Sequence, residues 1–243
     1  MKLSIITINY NNAGGLKKTL DSILGQTEKA FEYIVIDGGS TDGSKELLEK
    51  SSGISYRISE KDNGIYHAMN KGIVKAQGEY LLFINSGDRL CEPDTLKKIF
   101  PHLNGVGIVY GNLKIDESGQ LKDGFMPDVI DLKQMMNDTL WHPVSFIKRE
   151  LFDKYGLYKT DYKICGDYDF FFNVIVDKKV SLKHVNQFIS VFDLSGISSK
   201  PENVPLIKEE KVKIQRSYLS DAQIEEFRKS QDKKTNFFTR WFQ

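Results

Sequence analysis

Apolar residues in the first half of the chain fall into short runs, each broken by a polar cluster. Leu3 to Ile8, rich in β-branched residues and stopped by Asn9-Tyr10-Asn11-Asn12, reads as a strand covered on both faces. Leu16, Leu20, Ile23 and Leu24 recur at helical spacing and place a helix over the sheet. Phe31 to Ile36 is a second strand, ending at Asp37-Gly38-Gly39-Ser40-Thr41-Asp42-Gly43-Ser44, and a helix follows through Leu47 and Leu48. Ile54 to Ser59 is a third strand. Ile65 to Ala76 is a helix with Ile65, Met69 and Ile73 on its apolar face, and Tyr80 to Ile84 is a strong strand. This alternation predicts an α/β fold with right-handed crossovers, in which a mostly parallel sheet is flanked by helices. The polar strand ends then share one rim, where open sheets bind ligands.

After Asp94 the pattern predicts a helix with Leu96, Ile99 and Phe100, then a strand over Val106 to Asn112. Leu113 to Asp131 alternates around Gly119, Gly124 and Pro127, as an irregular or antiparallel insertion does. A short strand at Phe146-Ile147, a turn or helix over Arg149 to Tyr155, a helix over Asp167 to Ile175 and a strand over Val180 to Asp193 follow. Beyond Pro205 the texture changes to mixed-charge helical segments, Leu206 to Leu219 and Ala222 to Gln231. The division expected is residues 1–200 as the α/β domain and 201–243 as a charged helical extension. Its end, Phe237-Phe238-Thr239-Arg240-Trp241-Phe242, pairs aromatics at i,i+4 if helical, which suits a packed cap or a membrane-surface contact aided by Lys233, Lys234 and Arg240.

Composition narrows the function. The 243 residues are 40% hydrophobic, enough for one large core. With 34 basic and 33 acidic residues the net charge is +1, so no bulk field favours nucleic acid. The two cysteines, Cys91 and Cys165, lack zinc-like spacing and fit a reducing compartment. The first residues do not read as a signal peptide, and no run approaches the roughly 18 apolar residues that span a bilayer. The expectation is a cytoplasmic protein, with peripheral contact at the inner face of the cell membrane or a second copy of the chain admitted as partners.

Polar side chains at strand ends carry the candidate chemistry. Thr7, Asn9 and Tyr10 put a hydroxyl, an amide and an aromatic face at one exit. Asp37 precedes two glycines that permit a tight turn, and reads as a ligand contact or a turn residue. Asp62 suits a ribose hydroxyl or a helix cap. Asp88 follows an apolar strand and Gly87, where a hard cation or a surface turn would be served. Asp167 and Asp169 sit at a helix beginning, as caps or as a base and its support; Trp141 and His142 suit stacking and hydrogen bonding to an acceptor, or packing.

Together these pieces resemble the family 2 glycosyltransferases of GT-A fold, which use nucleotide sugars. The resemblance rests on Ser4 to Asn11, Val35 to Gly43, Glu60 to Gly72, Asn85-Ser86-Gly87-Asp88 and Gly166-Asp167-Tyr168-Asp169, and reaches to about residue 200. It implies that Thr7, Asn9, Tyr10, Asp37 and Asp62 line a donor pocket, with Asp37 accepting from a uracil N–H. The family's Asp-x-Asp is here Ser86-Gly87-Asp88, leaving Asp88 as the likeness's ligand for Mg²⁺ or Mn²⁺ on the diphosphate, with Ser86 a weak helper. Asp167 matches the general base of inverting transfer, with Trp141, His142 and Asp169 on the acceptor side. The implied reaction moves a hexosyl unit from a UDP-sugar to a saccharide or lipid-linked glycan, as in bacterial surface-polysaccharide assembly. A nucleotide-sugar hydrolase, built on paired acids that activate water, is the alternative enzyme, and a noncatalytic sugar-binding module the alternative class.

Overall fold

In the computed structural model, which describes residues 1–117, 119–227 and 229, β1 (Leu3–Asn9) lies deep in the sheet and is buried along nearly its whole length. It pairs in parallel with β2 (Phe31–Asp37) on one side and β4 (Tyr80–Phe83) on the other, and β3 (Tyr56–Ser59) extends the parallel set beyond β2. The connections are helical: α1 (Ala13–Leu24), α2 (Ser44–Lys50) and α3 (Ile65–Lys75). Leu16, Leu20 and Ile23 are buried on α1, and Tyr66, Met69 and Ile73 on α3, each a stripe of 3.6-residue period against the sheet. Gly72 brings α3 close, because a Cβ there would lie 2.5 Å from Ile6 Cγ2.

The rest of the sheet is mixed. After the two-residue β5 (Arg89–Leu90) and α4 (Thr95–Ile99), β6 (Ile108–Glu117) forms an antiparallel hairpin with β7 (Gln120–Gly124), so the expected insertion between Leu113 and Asp131 is mainly a hairpin. The short helix α5 (Leu132–Asn137), which the sequence pattern did not anticipate, leads to β8 (Ser145–Lys148), wedged antiparallel between β4 and β6. Beyond α6 (Glu150–Tyr155), α7 (Gly166–Phe171) widens into a π-helical stretch over Phe172–Asp177, and β9 (Leu182–Asp193) runs parallel to β6. The sheet order is β3-β2-β1-β4-β8-β6-β9-β5, with β7 on β6. This is an α/β fold of GT-A type with a largely parallel central sheet.

The C-terminal helix α8 (Val204–Tyr218) packs against α7 and the π-helical stretch. Its Ile214 is fully buried and belongs to the same hydrophobic cluster as β1 and β4. The aromatic run Phe237 to Phe242 lies outside the described residues. Among the described residues no helix is long and apolar enough to cross a membrane.

Candidate active site

The ends of β1 and β2 are tied by a hydrogen-bond hub at Asp37. Its Oδ1 accepts from Asn9 Nδ2 (2.7 Å) and Ser40 Oγ (2.6 Å), and its Oδ2 from Ser40 N (2.9 Å) and Ser59 Oγ (2.6 Å). Burial would raise this carboxyl, but the donors of Ser40, Ser59 and Asn9 hold it below the usual carboxylate range. Four accepted bonds fill the lone-pair sites of an ionised carboxylate. Asp37 thus holds the two loops together, and Asn9 lends its amide to that task while its Oδ1 stays buried and without a partner.

Thr7 is fully buried, its hydroxyl donating to the Ile84 carbonyl (2.6 Å) and meeting Tyr33 Oη at 3.0 Å. That hydroxyl braces β1 to β4 instead of facing a ligand. Tyr10, by contrast, is 69% exposed and lies over Gly38, leaving an open aromatic face at the β1 exit. Asp62 binds Lys71 Nζ (2.7 Å) and His67 Nδ1 (2.9 Å) through Oδ1, and its Oδ2 is buried with no partner. The α3 N-cap is Gly64, so Asp62 is not the capping residue.

At the end of β4 the chain turns through Asn85-Ser86-Gly87-Asp88. Gly87 has φ +110°, which favours glycine, and a Cβ there would sit 2.9 Å from Asp193 Oδ2. Thr19 on α1 holds the turn: its hydroxyl donates to the Asp88 carbonyl (2.6 Å) and accepts from Gly87 N (3.0 Å). Asp88 Oδ1 accepts from the Asp193 N–H at 2.9 Å. Burial pushes the Asp88 carboxyl up to about 7; the Asp193 N–H opposes the rise and the Asp193 carboxylate adds to it. Asp88 and Asp193 bring hard oxygen donors of the kind Mg²⁺ and Mn²⁺ take. Among the described residues no group of three or more His, Cys, Asp or Glu side chains is placed to hold an ion.

Asp88 faces a cavity of about 430 Å³ whose lining includes Asn85, Trp141, His142 and Asp167. Asp167, in the first turn of α7, accepts from Tyr66 Oη at 2.8 Å, sharing that hydroxyl's one proton with the Ile164 carbonyl. Tyr66 comes from α3, which packs on β1 and β2, so this contact ties that helix to the start of α7. His142 stacks on Phe83 at 4.5 Å and meets Tyr158 Oη at 2.9 Å; burial lowers its proton affinity, the nearby Asp167 carboxylate opposing. Trp141 Nε1 donates to Asp138 Oδ2 (3.1 Å), which orients the indole in the wall.

The structure therefore brings together Asp88, Asp167, Trp141 and His142. It leaves Thr7, Asn9, Asp37 and Asp62 in the scaffold of the neighbouring rim, with Tyr10 exposed above it. Asp169 lies outside the cavity lining: it is buried against Lys159 Nζ (3.0 Å) and Tyr218 Oη (3.3 Å), a supporting place and not an acceptor contact. Tyr66, Thr19 and Asp193 were missed as site residues. The Tyr66 signal was present in the sequence, as a polar-tipped aromatic on the buried face of a helix, where a hydroxyl needs a partner.

The chain matches Glycosyl transferase family 2 over residues 4–169. It belongs to that family. A glycosyltransferase of Mycobacterium tuberculosis described as uncharacterized is 33% identical over 207 residues, covering 82% of this chain and 78% of the relative. A PGL/p-HBAD biosynthesis glycosyltransferase of Mycobacterium bovis is 30% identical over 208 residues, covering 81% and 78%. Among solved structures, S. aureus TarS in complex with UDP superposes with a TM-score of 0.63 at 20% identity, covering 79% of this chain and 60% of that one. The mannosyltransferase PcManGT from Pyrobaculum calidifontis, in complex with GDP-Man and Mn²⁺, gives 0.58 at 18%, covering 79% and 56%. The present glycosyltransferase thus spans well under two thirds of those two structures, and the likeness to them is one of fold.

Proposed function

We propose that this glycosyltransferase moves a hexosyl unit, with inversion, from a UDP-sugar to a hydroxyl of a saccharide or lipid-linked glycan. The observation that carries the reading is the convergence of Asp88, at the turn after β4, and Asp167, in the first turn of α7, on one cavity. The TarS structures with UDP and with UDP-GlcNAc support a uridine donor. Tyr10 offers a stacking face for the base, and the Asp37 hub fixes the loop on which that base would lie.

Asp167 acts as general base: it takes the proton of the acceptor hydroxyl as that oxygen forms its bond to the anomeric carbon. The bond from that carbon to the β-phosphate oxygen breaks on the opposite face, and UDP departs. The Tyr66 hydroxyl holds one oxygen of Asp167, leaving the other for the acceptor. His142, kept neutral by burial, and Trp141 shape the acceptor wall. Asp88, with Asp193 beside it, would hold Mg²⁺ or Mn²⁺, which would supply positive charge to a departing diphosphate.

The test is transfer to a panel of saccharide acceptors by the parent, Asp167→Asn and Asp88→Ala, with UDP affinity from calorimetry. Asp167→Asn is expected to bind UDP as the parent does while losing about 10²–10⁴-fold in turnover. Asp88→Ala is expected to lose metal-dependent UDP affinity. Parent-like transfer by both variants would reject the reading.

A further inference from the structure

Beyond residue 169, where the family match ends, α8 turns one buried carboxylate toward the loop that carries Asp167. Glu210 is 7% exposed; its Oε1 accepts from Lys163 N (2.7 Å) and its Oε2 from Ile164 N (3.0 Å) and Cys165 N (2.9 Å). These three N–H groups lead directly into α7, whose N-cap residue Cys165 makes no side-chain cap of its own. Buried N–H groups in a loop leading into a helix have no intrahelical acceptor and need one from outside. Here another helix supplies it.

The same loop is fixed from its other side. The Ile164–Cys165 peptide group gives its N–H, that of Cys165, to Glu210, and its carbonyl, that of Ile164, accepts from Tyr66 Oη, whose one proton is shared with Asp167 Oδ1 at 2.8 Å. One peptide group therefore links Glu210, through Tyr66, to the carboxylate in the cavity. Docking α8 by apolar contact alone would not call for this arrangement. Ile214 already packs in the core, and a buried carboxylate is costly unless its lone pairs are met. Ile207 and Lys211, on the same stretch of α8, line the cavity, so the helix forms part of the site's wall.

We infer that Glu210 is a positioning residue: it sets the Lys163–Cys165 backbone and, through Ile164 and Tyr66, the carboxylate of Asp167. The inference rests on Asp167 being the base.

The experiment uses the full chain with Glu210→Gln, Glu210→Ala and, in parallel, Asp167→Asn. Glu210→Gln keeps one carbonyl oxygen for Ile164 and Cys165 but turns an amide donor against the Lys163 N–H. Turnover, UDP affinity, UDP-binding stoichiometry and thermal midpoint are measured for each. Positioning predicts a fall in kcat of about tenfold to a hundredfold for Glu210→Gln, the range expected for a small misplacement of a reacting group. Stoichiometry near one and UDP affinity within about twofold of the parent should accompany that fall. Glu210→Ala should fall at least as far. A role confined to stability would lower binding stoichiometry and turnover together. That result, or a folded Glu210→Gln with parent-like kcat, overturns the inference while leaving the base in place if Asp167→Asn is inactive. Parent-like turnover by Asp167→Asn would overturn both.

Discussion

Asp88 is the residue at which function and stability pull apart. In an unfolded chain its carboxyl would have the ordinary value of 3.8, whereas burial raises it to about 7 in the folded protein. Between those values the native state binds more protons than the unfolded one. The stability tied to this group is fully present below 3.8 and is lost as pH rises through about 7. At about 1.4 kcal/mol for each tenfold change in proton affinity, the difference is a few kcal/mol. Asp88→Asn is therefore expected to flatten the decline in stability from about pH 4 to about pH 7, measured by denaturant unfolding without divalent ions. An unchanged slope would show that the carboxylate is not strained by burial. Asp37 works in the opposite sense, since its donors favour the ionised form and its contribution is lost as pH falls through its lowered value. Tyr66 offers a second test at this scale. Tyr66→Phe removes the donor shared by Asp167 and the Ile164 carbonyl, at about 1–3 kcal/mol of stability if those acceptors stay dry. Turnover should fall by about tenfold with UDP affinity unchanged, the lower end of what misplacing a reacting group costs.

Elements carry these residues to one place, and their fit can be tested at Gly72. A methyl there would meet Ile6 Cγ2 at 2.5 Å, so Gly72→Ala must push α3 away from β1. Overpacking of this kind costs about 1–3 kcal/mol, to be read from the unfolding midpoint. Because α3 also carries Tyr66, kcat should decline beyond what the lost folded fraction explains. Much of this element layout was legible in the sequence: α1, α3, β1, β2 and β4 follow from buried stripes of period 3.6 and from apolar runs. β5 has two residues and α5 six, too short for periodicity to register. In the site, Asp88 and Asp167 were picked out by the ordered set of family motifs, because locally a carboxylate after an apolar strand or at a helix start reads equally as a turn or a cap. Their partners were not conspicuous. Tyr66 lies 101 positions from Asp167, Asp193 is 105 from Asp88, and Glu210 is 45 from Cys165. Each contact exists only after the sheet has assembled. Thr7 failed for a related reason: its hydroxyl is met by the Ile84 carbonyl of the adjoining strand segment, a partner that only the pairing of β1 with β4 supplies.

At the scale of the whole molecule, the change in texture after Pro205 suggested a boundary near residue 200, and the packing of α8 permits a direct test. A chain ending at residue 200 would leave an empty place where the fully buried Ile214 packs and would leave the N–H groups of Lys163, Ile164 and Cys165 without the Glu210 carboxylate. Burying an isoleucine side chain is worth about 1.5–3 kcal/mol, and each hydrogen bond to a charged group such as the Glu210 carboxylate about 1.5–3 kcal/mol. Gln215 would also be withdrawn from Tyr168 Oη, which it reaches at 3.0 Å. The combined loss is comparable with the 5–15 kcal/mol that typically separates folded from unfolded states, before any refolding of the exposed surface around the vacancy. Residues 1–200 alone are therefore expected to lose cooperative unfolding, with retained far-UV and diminished near-UV circular dichroism. A chain ending at residue 229 keeps α8 and should unfold in one cooperative transition. If residues 1–200 instead unfold cooperatively with a midpoint close to that of the longer chain, the core is complete without α8. The helix would then be an accessory to the cavity and not a part of the folding unit.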